Sequence, residues 1–214
     1  MLANQKMVAL DGYEIALFPF EYLYMSQLEG GNFSHINTYI IDFLGWDANG
    51  RVLQCPFYAP CTLECVDIWD SSSNNRVYQS VHKVHLADGT LDYLTIAFAH
   101  DDNPVHNVGD IIQQGALLGH TGTTGQVTGD HTHTCCGKGV YQGYTQRAGG
   151  HYDLTNRIHY WQGVYVNDTD IVQGYTYDWT TYNGRIRPEY YNKNSTFPWV
   201  LYARKIREKN TYHK

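Results

Sequence analysis

The spacing of turn-forming residues constrains the fold of this 214-residue chain more than any other feature. Glycine, asparagine, aspartate and proline interrupt the sequence every eight to twelve residues. The segments between the turns are rich in tyrosine, threonine and valine, which favour strands. Short strands with frequent turns predict a mainly β protein built on antiparallel sheet, and they argue against a helix-rich or coiled-coil architecture.

The turn residues also place individual strands. An Asp88–Gly89 turn predicts a hairpin between two of them, and the Gly/Thr-rich residues 119–129 are expected to form a loop. A break is expected at Gly115. We predict strands at residues 38–44, 52–60, 62–69, 77–86, 91–100, 111–118 and 131–136.

Charge and hydropathy exclude several classes of function. Fifteen basic and 21 acidic residues give a net charge of −6, which argues against a nucleic-acid-binding protein with a broad basic face. No apolar run approaches the roughly 18 residues of a membrane span. The first residues do not resemble a secretory signal, because Asp11 and Glu14 interrupt any apolar stretch, so we expect no signal peptide.

The five cysteines cannot all pair within the chain, because their number is odd. We interpret them mainly as small buried apolar residues. An alternative is that Cys135, two positions after His133, is a nucleophile that uses this histidine as its base.

The chain has 11 histidines, and the positions of some of them indicate a candidate functional site. His131 and His133 lie in a predicted strand, and side chains two residues apart share a face of a strand. Two neighbouring imidazoles at neutral pH suit a shared metal ion or a catalytic pair. The alternative is a pair of exposed strand histidines with no joint function.

Two further segments make the metal interpretation more specific. His35 ends a Gly/Asn-rich turn, Asp42 lies among apolar residues of a predicted strand, and His100 ends an apolar strand. A carboxylate among apolar residues is costly unless a cation or hydrogen bonds compensate it, although Asp42 could also lie on a solvated face. Two histidines and one carboxylate would make a three-ligand set with an open fourth position, as in catalytic zinc sites. The residues alone leave open which of His131 and His133 is the ligand.

Five motifs follow one another along the chain. They are GNFSHINTYIIDF at 31–43, FYAP at 57–60, the strand at 93–100, the glycine-punctuated hairpin at 109–119, and TGTTG at 121–125 followed by TGDHTH at 128–133. This ordered set resembles the lysostaphin/LytM family of zinc metalloendopeptidases, which cut peptide bonds in bacterial peptidoglycan. The resemblance extends from about residue 30 to residue 136, half of the chain.

This resemblance implies a role for each candidate residue. His35, Asp42 and His133 would bind Zn²⁺, His131 would be the general base that takes a proton from the attacking water, and His100 would hydrogen-bond that water or the developing oxyanion. The seven-residue spacing from His35 to Asp42 is longer than the family's commonest form, and Thr134-Cys135-Cys136 replaces its usual apolar and acidic pair. The other histidines are expected to be surface or hydrogen-bonded residues.

The resemblance also implies the substrate and the setting. The substrate would be a peptidoglycan peptide, and the protein would be a phage endolysin or tail-associated lysin, released at lysis or held on the virion with phage tail proteins as partners. We expect a metallopeptidase domain at 1–185, with its core at 30–136 and a loop-rich extension at 137–185, and a tail at 186–214 that packs on the core or docks to a partner. The alternatives are a catalytically inactive wall-binding or tail module and a structural β protein with incidental histidines.

Aromatic residues are frequent after residue 137, and they have two interpretations. They could line a groove for an extended peptide or glycan, or they could be ordinary core and sheet-face residues. The residues concerned are Tyr152, Tyr160, Trp161, Tyr165, Tyr175, Tyr177 and Trp179.

Overall fold

A computed structural model describes residues 1–166, 169–172 and 203–205 of the chain. The prediction of a mainly β fold with an antiparallel core is confirmed, and the described part contains one helix, of a single turn. In chain order the elements are β1 (Tyr22–Leu23), β2 (Met25–Gln27), β3 (Ile40–Phe43), β4 (Trp46–Asp47), β5 (Gly50–Arg51), β6 (Pro56–Tyr58), β7 (Leu63–Asp70), β8 (Asn75–Ser80), β9 (Val84–His85), β10 (Leu91–Asp92), β11 (Leu94–Ala99), β12 (Ile111–Ile112), β13 (Leu117–His120), β14 (Thr132–Lys138), β15 (Tyr144–Gln146), β16 (Tyr152–Leu154), β17 (Arg157–Ile158), α1 (Tyr160–Gly163), β18 (Thr169–Ile171) and β19 (Ala203–Lys205).

The main sheet has the strand order β12-β7-β8-β11-β14-β3-β2, with β17 also paired to β14. Every neighbouring pair in it is antiparallel. Strand β14 lies between β11 and β3, so its side chains are flanked on both sides. A smaller parallel sheet joins β1, β18 and β19.

The two faces of the main sheet have different surroundings, because successive side chains of a strand point to opposite sides. One face packs into the larger apolar core, which includes Ile41, Phe98 and Cys136. The other face holds a smaller cluster that includes Ile40 and Cys135. His133 lies two residues from Cys135, so it belongs to this second face.

Several predicted strands are divided into shorter ones by a local hydrogen bond or a turn. The segment expected at 91–100 breaks after β10, where the Asp92 carboxylate accepts the Tyr93 amide at 2.9 Å in place of a strand partner. The segment at 111–118 breaks as expected at Gly115, whose φ is +81°. The Asp88–Gly89 turn does join two strands, β9 and β10, in an antiparallel pair.

The segment after β14 packs closely on the sheet. Tyr160, Trp161 and Tyr165 are at most 2% exposed, so these three aromatic residues belong to the core, whereas Tyr152 is exposed. Tyr175, Tyr177, Trp179 and most of the tail predicted at 186–214 lie outside the described residues. The proposed domain division therefore stays a prediction.

All five cysteines are buried, as the sequence predicted, and none of them forms a disulfide. Burial raises the pKa of the Cys135 thiol well above its ordinary value, which keeps the thiol protonated and disfavours the nucleophile alternative. Within the described residues, the single helix is far too short to cross a membrane.

Candidate metal centre

Strand pairing brings the candidate residues into one row of the sheet. His133 of β14 lies opposite Asp42 of β3 on one side and opposite Ala99 of β11 on the other. His100 directly follows Ala99, and His131 directly precedes β14. Residues that are far apart in sequence thus reach a single point on the sheet because the register of three strands places them there.

Three donor atoms converge at this point. His35 Nε2 lies 3.2 Å and His133 Nδ1 lies 3.0 Å from the same Asp42 oxygen, Oδ1. The two ring nitrogens are 3.3 Å apart. His35 is fully buried and Asp42 is 8% exposed, which does not support the alternative that this carboxylate lies on a solvated face.

Backbone carbonyls fix the orientation of three of the histidine rings. Nδ1 of His35 lies 3.0 Å from the Leu28 oxygen, Nδ1 of His100 lies 2.8 Å from the Thr124 oxygen, and Nδ1 of His131 lies 2.7 Å from the Gly129 oxygen. A carbonyl oxygen can only accept, so each Nδ1 is protonated and donates. In the neutral ring, Nε2 is then left with its lone pair, as a metal ligand or a base requires.

The electrostatics favour an ionised Asp42 carboxylate. Burial by itself would raise the pKa of Asp42, but the contacts with His133 and His35 outweigh burial and hold that pKa well below its ordinary value. Burial and the neighbouring His133 and His131 rings lower the pKa of His100 to about 4. Burial also lowers the pKa of His133. Near pH 7 these shifts favour an ionised Asp42 and neutral His100 and His133 rings, and metal binding requires a deprotonated carboxylate and neutral imidazole.

This arrangement fits a metal ion. Because His35 already donates through Nδ1, the Nε2 atom of a neutral His35 ring and the Asp42 oxygen would both be acceptors, and two acceptors 3.2 Å apart need a second proton or a cation between them. The described residues form one group able to hold a metal ion, His35, Asp42 and His133, with all ligand atoms within 4.8 Å of one another. A tetrahedral zinc ion with ligand bonds of about 2.1 Å would separate its donors by about 3.4 Å.

Two more histidines stand beside this group. The His100 ring centroid lies 4.7 Å from that of His131 and 5.6 Å from that of His133. His131 Nε2 is 3.8 Å from Asp42 Oδ1. The structure thus brings together all five residues that the sequence singled out; their individual roles stay predictions.

The backbone of His100 is held in an unusual conformation, with φ at +81°. Few non-glycine residues adopt this region, and such residues cluster at functional sites. The Ser73 oxygen accepts the His100 amide at 2.7 Å, and the Thr124 amide donates to the His100 carbonyl at 3.2 Å. The 122–124 loop passes so close that a Cβ on Gly122 would meet the His100 oxygen.

The remaining histidines of the described part behave as expected. His85 contacts Asp11, His120 lies near Asp101, His106 contacts the Leu117 carbonyl, and His159 contacts Glu29. His82 is exposed, His151 is partly exposed, and His213 lies outside the described residues.

Sequence reasoning missed several residues that support the site. Gln27 Nε2 donates to the other Asp42 oxygen at 3.3 Å and to Ser34 Oγ at 2.7 Å. The Asp102 carboxylate accepts from the Thr123 amide and the Thr124 hydroxyl at 2.8 and 2.9 Å, which fixes the loop that orients His100. These contacts cannot be predicted from local sequence pattern, because no motif or periodicity links the residues that form them.

Comparison with known proteins gives limited matches. No protein-family model matches the chain. It is 37% identical over 171 residues to "Morphogenesis protein 1" of Bacillus phage B103, which covers 79% of this chain and 45% of that protein. The chain thus spans less than half the length of this curated relative.

Solved structures give partial matches to the fold. A zinc-containing peptidase from Vibrio cholerae matches with a TM-score of 0.43 and 16% identity over 61% of this chain and 42% of that one. The catalytic domain of lysostaphin from Staphylococcus simulans matches with a TM-score of 0.37 and 18% identity over 58% of this chain and 80% of that one.

Proposed function

We propose that this chain is a zinc-dependent endopeptidase that hydrolyses peptide bonds in bacterial peptidoglycan. The observation that supports this most directly is the convergence of His35, Asp42 and His133 on one point, with the rings of His100 and His131 beside them. The ordered sequence motifs, which resemble the lysostaphin/LytM family, supply the substrate class.

His35, Asp42 and His133 would hold the zinc ion in this proposal. A bound zinc ion would polarise the scissile carbonyl and lower the pKa of the attacking water toward neutrality. The Leu28 carbonyl holds the His35 ring so that Nε2 faces Asp42, and Gln27 holds the second Asp42 oxygen. The ligand set is therefore oriented before the ion arrives.

His131 is the general base in this scheme. Its Nδ1 proton is held by the Gly129 carbonyl, so Nε2 accepts a proton from the attacking water. The imidazolium formed in this way then returns the proton to the leaving amine.

His100 has a different task, because its neutral ring offers only an acceptor at Nε2. Its Nδ1 proton is committed to the Thr124 carbonyl, and its lowered pKa keeps the ring neutral near pH 7. His100 therefore accepts a hydrogen bond from the water and aligns it for attack. A donor to the developing oxyanion would require a second proton on this ring.

We place the enzyme on a phage virion as a tail-associated lysin that acts on the bacterial wall. The name of the phage relative, a morphogenesis protein, supports a virion component over an endolysin released at lysis. Mass spectrometry of purified virions tests this assignment, because a tail lysin is found in the particle and an endolysin only in the lysate.

The activity test is the release of new amino groups from purified cell walls. The zinc-loaded protein should release them, chelation should stop the release, and added zinc should restore it. Binding to walls without release, by a protein that contains zinc, would instead indicate the catalytically inactive module. A protein that binds no zinc would contradict the metal centre itself.

A further inference from the structure

The loop that presents His35, residues 28–39, is called the His35 loop here. It is closed by its own hydrogen bonds, including Gly30 N to the Thr38 oxygen at 3.0 Å and Thr38 N to the His35 oxygen at 3.0 Å. His35 itself is fully buried, yet Asn32, Phe33, Ile36 and Asn37 around it are exposed. A loop with so much exposed surface needs outside contacts to hold a buried ligand in place.

Those contacts come from residues 148–160, called the supporting segment. The first lies where the chain enters the loop, at Glu29, whose side chain is 1% exposed. Its carboxylate accepts from His159 Nδ1 and from the Tyr160 amide, both at 2.6 Å. A buried carboxylate is costly unless such donors compensate it, so these bonds fix Glu29 firmly.

The second contact lies where the chain leaves the loop, at Tyr39. Its amide donates to Asp153 Oδ2 at 2.7 Å, and Asp153 is fully buried. The Tyr39 ring stacks on the His159 ring with centroids 4.0 Å apart, and the Arg157 guanidinium lies 4.2 Å from the Tyr39 ring centroid. His159 therefore contacts Glu29, near the start of the loop, and Tyr39, at its end.

Two further bonds reach the exposed part of the loop. Arg157 Nη1 donates to the Asn37 oxygen at 2.7 Å and to Asp153 Oδ2 at 3.1 Å. The Asn37 amide group donates to the Ala148 oxygen at 2.8 Å. The loop is thus tied to the supporting segment at its beginning, near its tip and at its end.

The connection to the metal centre is short. The Leu28 carbonyl, which holds His35 Nδ1, belongs to the residue directly before Glu29. Fixing Glu29 consequently fixes the carbonyl that sets the His35 ring orientation. Groups that orient a metal ligand in this way commonly change metal affinity 10- to 100-fold when they are lost.

We propose that the supporting segment, through His159 and Arg157, positions the His35 loop and thereby sets the metal affinity of the site. This inference rests on the proposed zinc centre, but it assigns an active-site role to a part of the chain that follows the last metal ligand. His159 and Arg157 act through the loop and are positioning residues.

The test uses two His159 variants of the full chain. His159→Phe keeps a flat ring on Tyr39 but removes the donor to Glu29, whereas His159→Asn keeps a donor near the position of Nδ1. We expect His159→Phe to weaken zinc binding 10- to 100-fold in chelator competition, and His159→Asn to recover most of that loss. Hydrogen exchange of the metal-free protein should accelerate at residues 30–38 in His159→Phe.

The matched control is His85→Phe, which removes a different histidine that contacts a carboxylate, Asp11, at 2.8 Å. His85 lies in β9, where it pairs with Leu91 and its ring lies edge-on to that of Tyr13, so this variant should leave zinc affinity and exchange at residues 30–38 unchanged. Should His159→Phe fail to fold, Arg157→Met provides a milder change, because the Arg157 side chain is 24% exposed.

Unchanged zinc affinity and unchanged loop exchange in a folded His159 or Arg157 variant would overturn the inference, as would an equal loss in His85→Phe. If the wild-type protein bound no zinc, the proposed function would fail. The exchange measurement on the metal-free protein would still decide whether the segment positions the loop.

Discussion

Two regions of this molecule pair a histidine with an aspartate, and they differ in what surrounds the carboxylate. Asp11 contacts one ring, that of His85, and its side chain is 50% exposed. Asp42 lies within 4 Å of three histidines, His35, His131 and His133, and its side chain is 11% exposed. The shortest contact is 2.8 Å at Asp11 and 3.0 Å at Asp42, so contact length does not separate the two regions.

The difference shows what distinguishes a candidate metal centre from an ordinary polar contact. At Asp11, a single ring N–H of His85 and the Tyr13 amide can satisfy the carboxylate. At Asp42, His35 can donate only as an imidazolium, because its Nδ1 proton is already bound to Leu28. The converging acceptors around a buried charge therefore need a second proton or a cation, whereas a histidine–aspartate pair by itself does not.

The largest expected difference between the two regions is the effect of replacing Asp42 or Asp11 with alanine. In Asp42→Ala we expect zinc content to fall from about one per chain to a small fraction, with no detectable wall hydrolysis, because a ligand is lost. Asp11→Ala should keep both. Elemental mass spectrometry and amine release measure these outcomes, and equal zinc content in the two variants would remove the basis of the comparison.

Within the cluster of histidines around Asp42, His131→Ala should reduce catalytic activity without reducing zinc binding. We expect activity to fall by about 10²- to 10⁴-fold, the usual worth of a general base, with zinc content and folding retained. His82→Ala, which changes an exposed histidine, serves as the control. Hydrolysis at the wild-type rate by the His131 variant would contradict its assignment as base.

The folding stability of the metal-free protein should fall in acid because of His100 and Asp42. The pKa of His100 is about 4 in the fold against an ordinary 6.5, so the unfolded chain takes up the proton first as pH falls. Folding stability should therefore decline from pH 6.5 toward pH 4, by up to about 3 kcal/mol from this group. Asp42 extends the loss below pH 4, because its folded pKa is depressed.

Urea unfolding across this pH range checks the prediction. His100→Gln should flatten the slope between pH 6.5 and 4. A slope identical to that of the wild-type protein would show that the acid sensitivity arises elsewhere.

The smallest expected effect concerns the loop that holds His100. A Cβ at Gly122 would meet the His100 oxygen, so Gly122→Ala should cost about 1–3 kcal/mol of stability and displace His100. In Gly129→Ala the new Cβ meets no atom within 4 Å, so we expect little change. Thermal unfolding of both variants tests this, and equal stability would contradict the tight contact.

Local sequence pattern was enough to predict the class of fold and the candidate residues. Strand periodicity placed His131 and His133 on one face, and a polar residue among apolar ones drew attention to Asp42. These inferences succeed because side-chain alternation and turn chemistry act over a few residues. The residues alone do not show whether His131 or His133 is the metal ligand, and only the family resemblance favours His133.

Tertiary structure made the remaining decisions, because they depend on strand register and on contacts between distant residues. The pairing of His133 with Asp42 spans 91 positions, and that of Glu29 with His159 spans 130. Neither contact has a local pattern, since each is formed only when β14 or the supporting segment packs beside its partner. Composition and spacing determined a β sheet with histidines at strand ends; packing decided which of them share one carboxylate and what holds them there.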